Sequence, residues 1–146
     1  MVLNIDGNRP LSGTRILIAE DEFLIALDME AAFLEAGAEV VGPCATVILA
    51  LEAASNEELS LAVLDIRLGQ ETTARIGDRL TERGIPFYFY SAQALPQEMR
   101  RMYSGAVVVS KPATHQVLIG AAASLLMVSK DQNRDAASGV SPRAVH

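Results

Sequence analysis

The sequence predicts an α/β fold: a doubly wound, five-stranded parallel sheet with helices on both faces. Three observations lead there. Short apolar runs alternate with helix-spaced segments five times along the chain. Runs such as Ile16-Leu17-Ile18-Ala19 and Leu61-Ala62-Val63-Leu64 lack any polar alternation, as befits strands buried on both faces. Gly or Pro punctuates most junctions. Such alternation calls for helical crossovers, and hence for a parallel sheet covered on both sides.

The elements follow in order. Residues 1–12, with Gly7, Asn8 and Pro10, read as a flexible lead-in to a domain over 13–128. Arg15 to Ala19 is the first strand. Residues 22–36 have helical spacing, with Leu24, Leu27, Ala31 and Leu34 on one face and Gly37 placed as a cap. Ala38 to Gly42 is a second strand, stopped by Pro43. Thr46 to Ser55 is a second helix, and Leu61 to Leu64 a third strand ending at Asp65. Thr72 to Arg83 is a third helix with Gly84 as its stop. Phe87 to Tyr90 and Ala106 to Val109 are the fourth and fifth strands. Between them, Pro96 to Tyr103 supports only one or two helical turns. Ala113 to Val128 is the last helix. The tail over 129–146 carries too little apolar area to offset the entropy of ordering it.

Composition narrows the function. The 146 residues carry a net charge of −6, which disfavours nucleic acid as a partner of the whole chain. One cysteine, Cys44, excludes an internal disulfide or a cysteine-rich metal site. Two histidines, His115 and His146, make a zinc site of that type improbable. No apolar stretch is long enough to span a membrane. Met1 to Asp6 lack the basic-then-apolar pattern of a signal peptide, so a soluble cytoplasmic protein is expected.

The charge is unevenly placed. Ile16 to Ile66 hold eleven acids and no Lys or Arg, while Arg67 to Lys111 hold seven bases and four acids. Three of the acids, Glu20, Asp21 and Glu22, directly follow the first strand. In parallel sheets of this kind the site lies beyond the carboxyl ends of the strands. There the sequence places Glu20-Asp21-Glu22, Asp65, Ser91 and Lys111-Pro112, after strands one, three, four and five. Clustered carboxylates repel, and a hard, oxygen-preferring cation such as Mg²⁺ relieves the repulsion. A cation and a lysine beside one carboxylate form a phosphoryl-binding arrangement, since phosphoryl transfer depends on positioning and charge neutralisation. Asp65 is the candidate nucleophile, Glu20 and Asp21 the candidate metal ligands, and Lys111 and Ser91 the candidate phosphoryl-oxygen partners.

Each residue also has a plain structural role open to it. Asp21 can cap the first helix, Asp65 can be a turn residue before Gly69, Ser91 can cap its loop, and Lys111 can be a surface lysine. Their joint placement at four strand ends is what outweighs four separate coincidences.

The ordered set Glu20-Asp21, Asp65, Ser91, Lys111-Pro112 resembles the receiver domain of two-component response regulators, over roughly Thr14 to Val128. The resemblance implies a CheY-like, flavodoxin-like (βα)5 fold with sheet order 2-1-3-4-5 and a short or poorly ordered fourth helix. It implies phosphoryl transfer from a histidine kinase to Asp65, with slow self-hydrolysis, both Mg²⁺-dependent. It also implies a backbone-carbonyl metal contact from Arg67 and a cis Lys111-Pro112 peptide. Val108 stands where ordinary receivers carry an aromatic residue. The stretch from Gly84 to Ser91 and the abbreviated fourth helix resemble the alphaproteobacterial FAT GUY receivers, which pair with HWE-type kinases. Ala92-Gln93 replaces that subgroup's usual Gly-aromatic pair.

No output domain is expected after residue 128, so signalling would run through protein contacts or the chain would act as a phosphate sink. The apolar last helix, with Met99, Met102 and Tyr103, offers a partner or homodimer surface. The alternative reading is a Mg²⁺-dependent phosphohydrolase with an Asp nucleophile. Arg67 stands where such enzymes want a second Asp, which disfavours it.

Overall fold

The computed structural model describes residues 9–137, with side chains described through 130. The chain order is β1 (Arg15–Ala19), α1 (Phe23–Glu35), β2 (Glu39–Cys44), α2 (Val47–Asn56), β3 (Leu61–Leu64), β4 (Arg67–Leu68) and β5 (Glu71–Thr72). It continues through α3 (Ala74–Glu82), β6 (Phe87–Ser91), α4 (Gln97–Met102), β7 (Val108–Ser110) and α5 (His115–Ala137).

Five strands form one sheet in the order β2-β1-β3-β6-β7, and all four pairings are parallel. This is the expected 2-1-3-4-5 order. The three inner strands are buried almost throughout, and their alternate side chains divide between two core layers. Leu17, Ala62, Leu64 and Phe89 pack with Val47, Ala50, Ile76 and Leu80 of α2 and α3. Ile16, Ile18, Val63 and Tyr88 pack with Met29, Phe33, Leu118 and Ala122 of α1 and α5. The outer strands β2 and β7 are only half-buried, so two-sided burial holds for the inner strands alone.

The structure departs from the sequence expectations in several places. Strand β2 does not stop at Gly42 but continues through Pro43 to Cys44. It is an edge strand, where a missing N–H is tolerated. Gly42 holds φ +103, and a Cβ there would lie 2.8 Å from the Ile18 carbonyl oxygen. Residues 9–12 are not a loose lead-in: Leu11 is fully buried and its N–H donates to Ala36 O at 2.8 Å. Helix α5 runs past Val128 to Ala137, since no Gly or Pro lies between those two residues to end it. Residues 1–8 and 138–146, the rest of the expected lead-in and tail, lie outside the described residues.

Helix α1 buries a different face from the leucine stripe. Ala26, Met29, Ala32 and Phe33 face the core, while Leu24 is 77% exposed and Leu27 and Leu34 are about half exposed. Both stripes have helical spacing. The choice falls to the one that fills the space against Ile16, Ile18 and Tyr88. The expected patch on the last helix is also smaller. Leu118 and Met99 are buried, and the exposed apolar residues nearby are Met102, Val107, Val108, Val117, Met127 and Val128.

The β4/β5 hairpin is an addition to the expected elements: Thr72 pairs in β5, so the helix expected from Thr72 starts at Ala74. The hairpin pairs Arg67 with Thr72 and Leu68 with Glu71 around Gly69-Gln70. Thr73 closes its base: the buried hydroxyl donates to Asp65 O at 2.6 Å, and the N–H donates to Ile66 O at 2.9 Å. The expected short helix over 96–103 is present as α4. Tyr103, just after it, donates its hydroxyl to Ala74 O (2.8 Å) and Asp78 Oδ1 (2.7 Å) of α3.

Candidate functional site: an acid cluster with a buried lysine at the strand ends

The sheet itself delivers the site residues. Past each strand the backbone makes one more ladder-like bond. Glu20 N–H donates to Cys44 O, Asp65 N–H to Ala19 O, and Lys111 N–H to Ser91 O, each at 3.0 Å. Glu20, Asp65 and Lys111 are therefore fixed at one end of the sheet before any side-chain contact forms. The Lys111-Pro112 peptide is cis.

Three carboxylates converge there. One oxygen from each of Glu20, Asp21 and Asp65 lies within 4.8 Å of the others. Lys111 reaches the same cluster, with Nζ 2.9 Å from Asp65 Oδ2, 2.7 Å from Glu20 Oε1 and 3.7 Å from Glu22 Oε1. The lysine and Glu20 side chains are 7% and 1% exposed, so this is a buried charge group. Asp65 Oδ1 accepts the Ile66 N–H at 2.7 Å. Glu20 Oε2 accepts the Glu22 N–H at 3.1 Å. Glu20 Oε1 is buried against the Lys111 ammonium, which it shares with Asp65.

The electrostatics reflect this crowding. Burial pushes the Glu20 carboxyl above its ordinary value, and the nearby Asp65 charge adds to the rise. The Lys111 ammonium and the Glu22 N–H pull it down without cancelling the shift. Burial alone would lower the lysine, but its bonds to Glu20 and Asp65 and their negative charge outweigh burial and raise it. The group thus holds one ammonium against three carboxylates.

That arrangement fits a hard divalent cation. Magnesium takes oxygen ligands and accepts a few carboxylates beside waters. An added positive charge would relieve the repulsion that a single shared ammonium leaves among three carboxylates. The helix-capping role open to Asp21 is not used, because the N-cap of α1 is Glu22, which makes no side-chain cap bond.

The other predicted residues are placed less directly. Ser91 is buried at the end of β6, where its hydroxyl accepts the Gln93 N–H at 3.3 Å. Its backbone, not its side chain, bonds to Lys111. Arg67 opens β4 two residues past Asp65 and is exposed. Val108 is 38% exposed on the edge strand β7 and offers no ring to the interior. Phe89 and Tyr90 are buried, as core packing requires.

Two contributors were missed in the sequence. Tyr90 places its ring 5.7 Å from Lys111 Nζ and accepts the Ala113 N–H at 3.1 Å, which holds the turn after the lysine. Gly69, at the tip of the hairpin, donates its N–H to Asp21 Oδ2 at 2.8 Å. An aromatic one residue before Ser91 was a readable signal for the first. Nothing in the local sequence announced the second.

No protein-family model matches the chain, and no curated relative matches it. Solved structures do. A response regulator receiver protein from Sinorhizobium medicae superposes with a TM-score of 0.70 at 25% identity, covering 80% of this chain and 96% of that one. A CheY-like receiver domain protein from Methanospirillum hungatei gives 0.73 at 22% identity, covering 84% and 98%. The receiver domain of the PhyR response regulator from Erythrobacter litoralis gives 0.61 at 25% identity, covering 81% and 90%. By these solved neighbours, the chain carries the fold of a CheY-like response-regulator receiver domain.

Proposed function

We propose that the chain is a Mg²⁺-dependent phosphoacceptor, taking a phosphoryl group on Asp65 from the phosphohistidine of a histidine kinase. The observation that carries this reading is the placement of the Asp65 carboxylate. It has a buried ammonium 2.9 Å away and two further carboxylates within 4.8 Å. A lone carboxylate is a poor acceptor for an anionic phosphoryl group, because like charges repel. Here Lys111 supplies fixed positive charge, and Glu20, Asp21, Asp65 and the Arg67 carbonyl are the groups that would hold Mg²⁺. When bound, the cation neutralises charge on the phosphoryl oxygens. In the transfer, the donor's P–N bond breaks as a P–O bond forms to Asp65. The acyl phosphate so formed is later cleaved by water, returning the carboxylate and phosphate. Ser91 is assigned a hydrogen bond to a phosphoryl oxygen, which requires its hydroxyl to leave the Gln93 N–H.

Output is assigned to protein–protein contacts, or to phosphate draining, with the exposed apolar residues at Met102, Val107 and Val117 available to a partner or a second copy. The short α4 is consistent with the FAT GUY subgroup and an HWE-type kinase. Among the described residues no helix is long and apolar enough to cross a membrane.

The test is titration with beryllofluoride and Mg²⁺, followed by amide NMR. The expected result is saturable shifts at the strand ends that need both components and vanish in Asp65→Asn. Shifts of equal size in Asp65→Asn would refute the reading.

A further inference from the structure

The hairpin and the acid pair meet at one hydrogen bond. Gly69 donates its backbone N–H to Asp21 Oδ2 at 2.8 Å, across 48 residues of sequence. No other hydrogen bond or ion pair to the Asp21 side chain occurs among the described residues. Asp21 is exposed, so without that amide its carboxylate would rotate among several positions. The same carboxylate contributes an oxygen to the cluster with Glu20 and Asp65. One group therefore faces both the hairpin tip and the cluster.

The hairpin's conformation is committed at both ends. Its base is tied to Asp65 by the Thr73 hydroxyl. Its tip turns on Gly69 at φ +64, a left-handed conformation that bulky or β-branched residues rarely adopt. A Cβ at Gly69 would meet nothing within 4 Å, so glycine supplies conformation there and not room. Arg67, assigned a carbonyl contact to the cation, lies on the same hairpin.

We propose that Gly69 is a positioning residue for the cation site. Its N–H sets the Asp21 carboxylate for a divalent cation, and cation binding in turn orders the β4/β5 hairpin. The inference rests on reading Glu20, Asp21 and Asp65 as that site. The two directions are one coupling, because an interaction that helps the cation bind must be strengthened by the cation to the same degree.

The test uses Mg²⁺ on the full chain, ¹⁵N-labelled, with amide exchange and Mg²⁺ affinity read together. Saturating Mg²⁺ slows exchange at the Gly69 amide about tenfold, within the usual range of such couplings. Gly69→Val, which resists the left-handed conformation, weakens Mg²⁺ binding by about fivefold. Gly69→Asn, which tolerates it, stays within about twofold of the parent. Both substitutions point into open space, and an unchanged thermal midpoint confirms that the fold is intact. If Mg²⁺ binds the parent without slowing Gly69 exchange, and Gly69→Val binds as tightly, the coupling is overturned while the cation site stands. If the parent binds no Mg²⁺ at all, both the coupling and the phosphoacceptor reading fall.

Discussion

Lys111 Nζ lies 2.9 Å from Asp65 Oδ2, joining residues 46 positions apart across the ends of β3 and β7. The lysine is the only cation among the described residues in contact with the acid cluster. It therefore does alone in the metal-free protein what lysine and cation do together when the site is filled. Lys111→Ala is expected to destabilise the metal-free protein by about 3 kcal/mol at neutral pH, as loss of one partner of a buried charge group does. Mg²⁺ should recover more stability in the variant than in the parent, because the cation takes over the missing charge. Urea unfolding with and without Mg²⁺ measures both terms. An equal Mg²⁺ gain in the two proteins would contradict the arrangement.

The raised carboxyl of Glu20 gives a pH dependence with a definite sign. Its folded pKa lies above the unfolded value of 4.5, so the folded state holds the proton more tightly. The associated stability is fully present below about 4.5 and is lost as pH rises through the folded pKa. Above that window the ionised Glu20 weighs against the metal-free fold. Glu20→Gln should therefore remove this part of the decline with rising pH, measured by denaturant midpoints from pH 4 upward (about 4 to 8). A variant profile that runs parallel to the parent throughout would show that Glu20 titrates normally.

The buried face of α1 is testable with two truncations. Met29 is 1% exposed and Leu24 is 77% exposed. Met29→Ala should cost about 2–5 kcal/mol, the range for large-to-small core changes. Leu24→Ala should stay within about 0.5 kcal/mol. Comparable losses in chemical denaturation would return the leucine stripe to the core.

Gly77 and Tyr103 form a coupled pair. A Cβ at Gly77 would lie 2.7 Å from the Tyr103 hydroxyl oxygen and 2.9 Å from its ring carbon Cζ. Gly77→Ala should thus destabilise by about 1–3 kcal/mol, despite alanine's better helix propensity, because it displaces the ring from Asp78 and Ala74. In a Tyr103→Leu background the same change should cost little or even stabilise. Additive effects in this double-mutant cycle would show that the two residues do not interact.

Much of this molecule was legible in the sequence. The apolar runs at 15–19, 61–64 and 87–90 located the inner strands because both faces of each are buried, which leaves no polar alternation to confuse them. Topology then made Glu20, Asp21, Asp65 and Lys111 neighbours without any contact being known. What escaped was decided by packing partners. The Leu24–Leu34 stripe and the Met29–Phe33 stripe share a period, and only the sheet beneath them selects one. Leu11 reads as part of a flexible lead-in until Ala36 is there to receive its N–H. The β4/β5 hairpin has two residues per strand, too few to show a period. Pro43 reads as a stop because the edge position of its strand is a property of the sheet.

Asp65, and no other carboxylate of the cluster, is the residue proposed to accept the phosphoryl group. The direct measurement is treatment with acetyl phosphate and Mg²⁺, followed by borohydride, which reduces an aspartyl phosphate to homoserine, and mapping of the modified position by peptide mass. Phosphorylation at Asp65 predicts homoserine at position 65, none without Mg²⁺, and none in Asp65→Asn. An unmodified Asp65, or homoserine at Asp21 in its place, would contradict it.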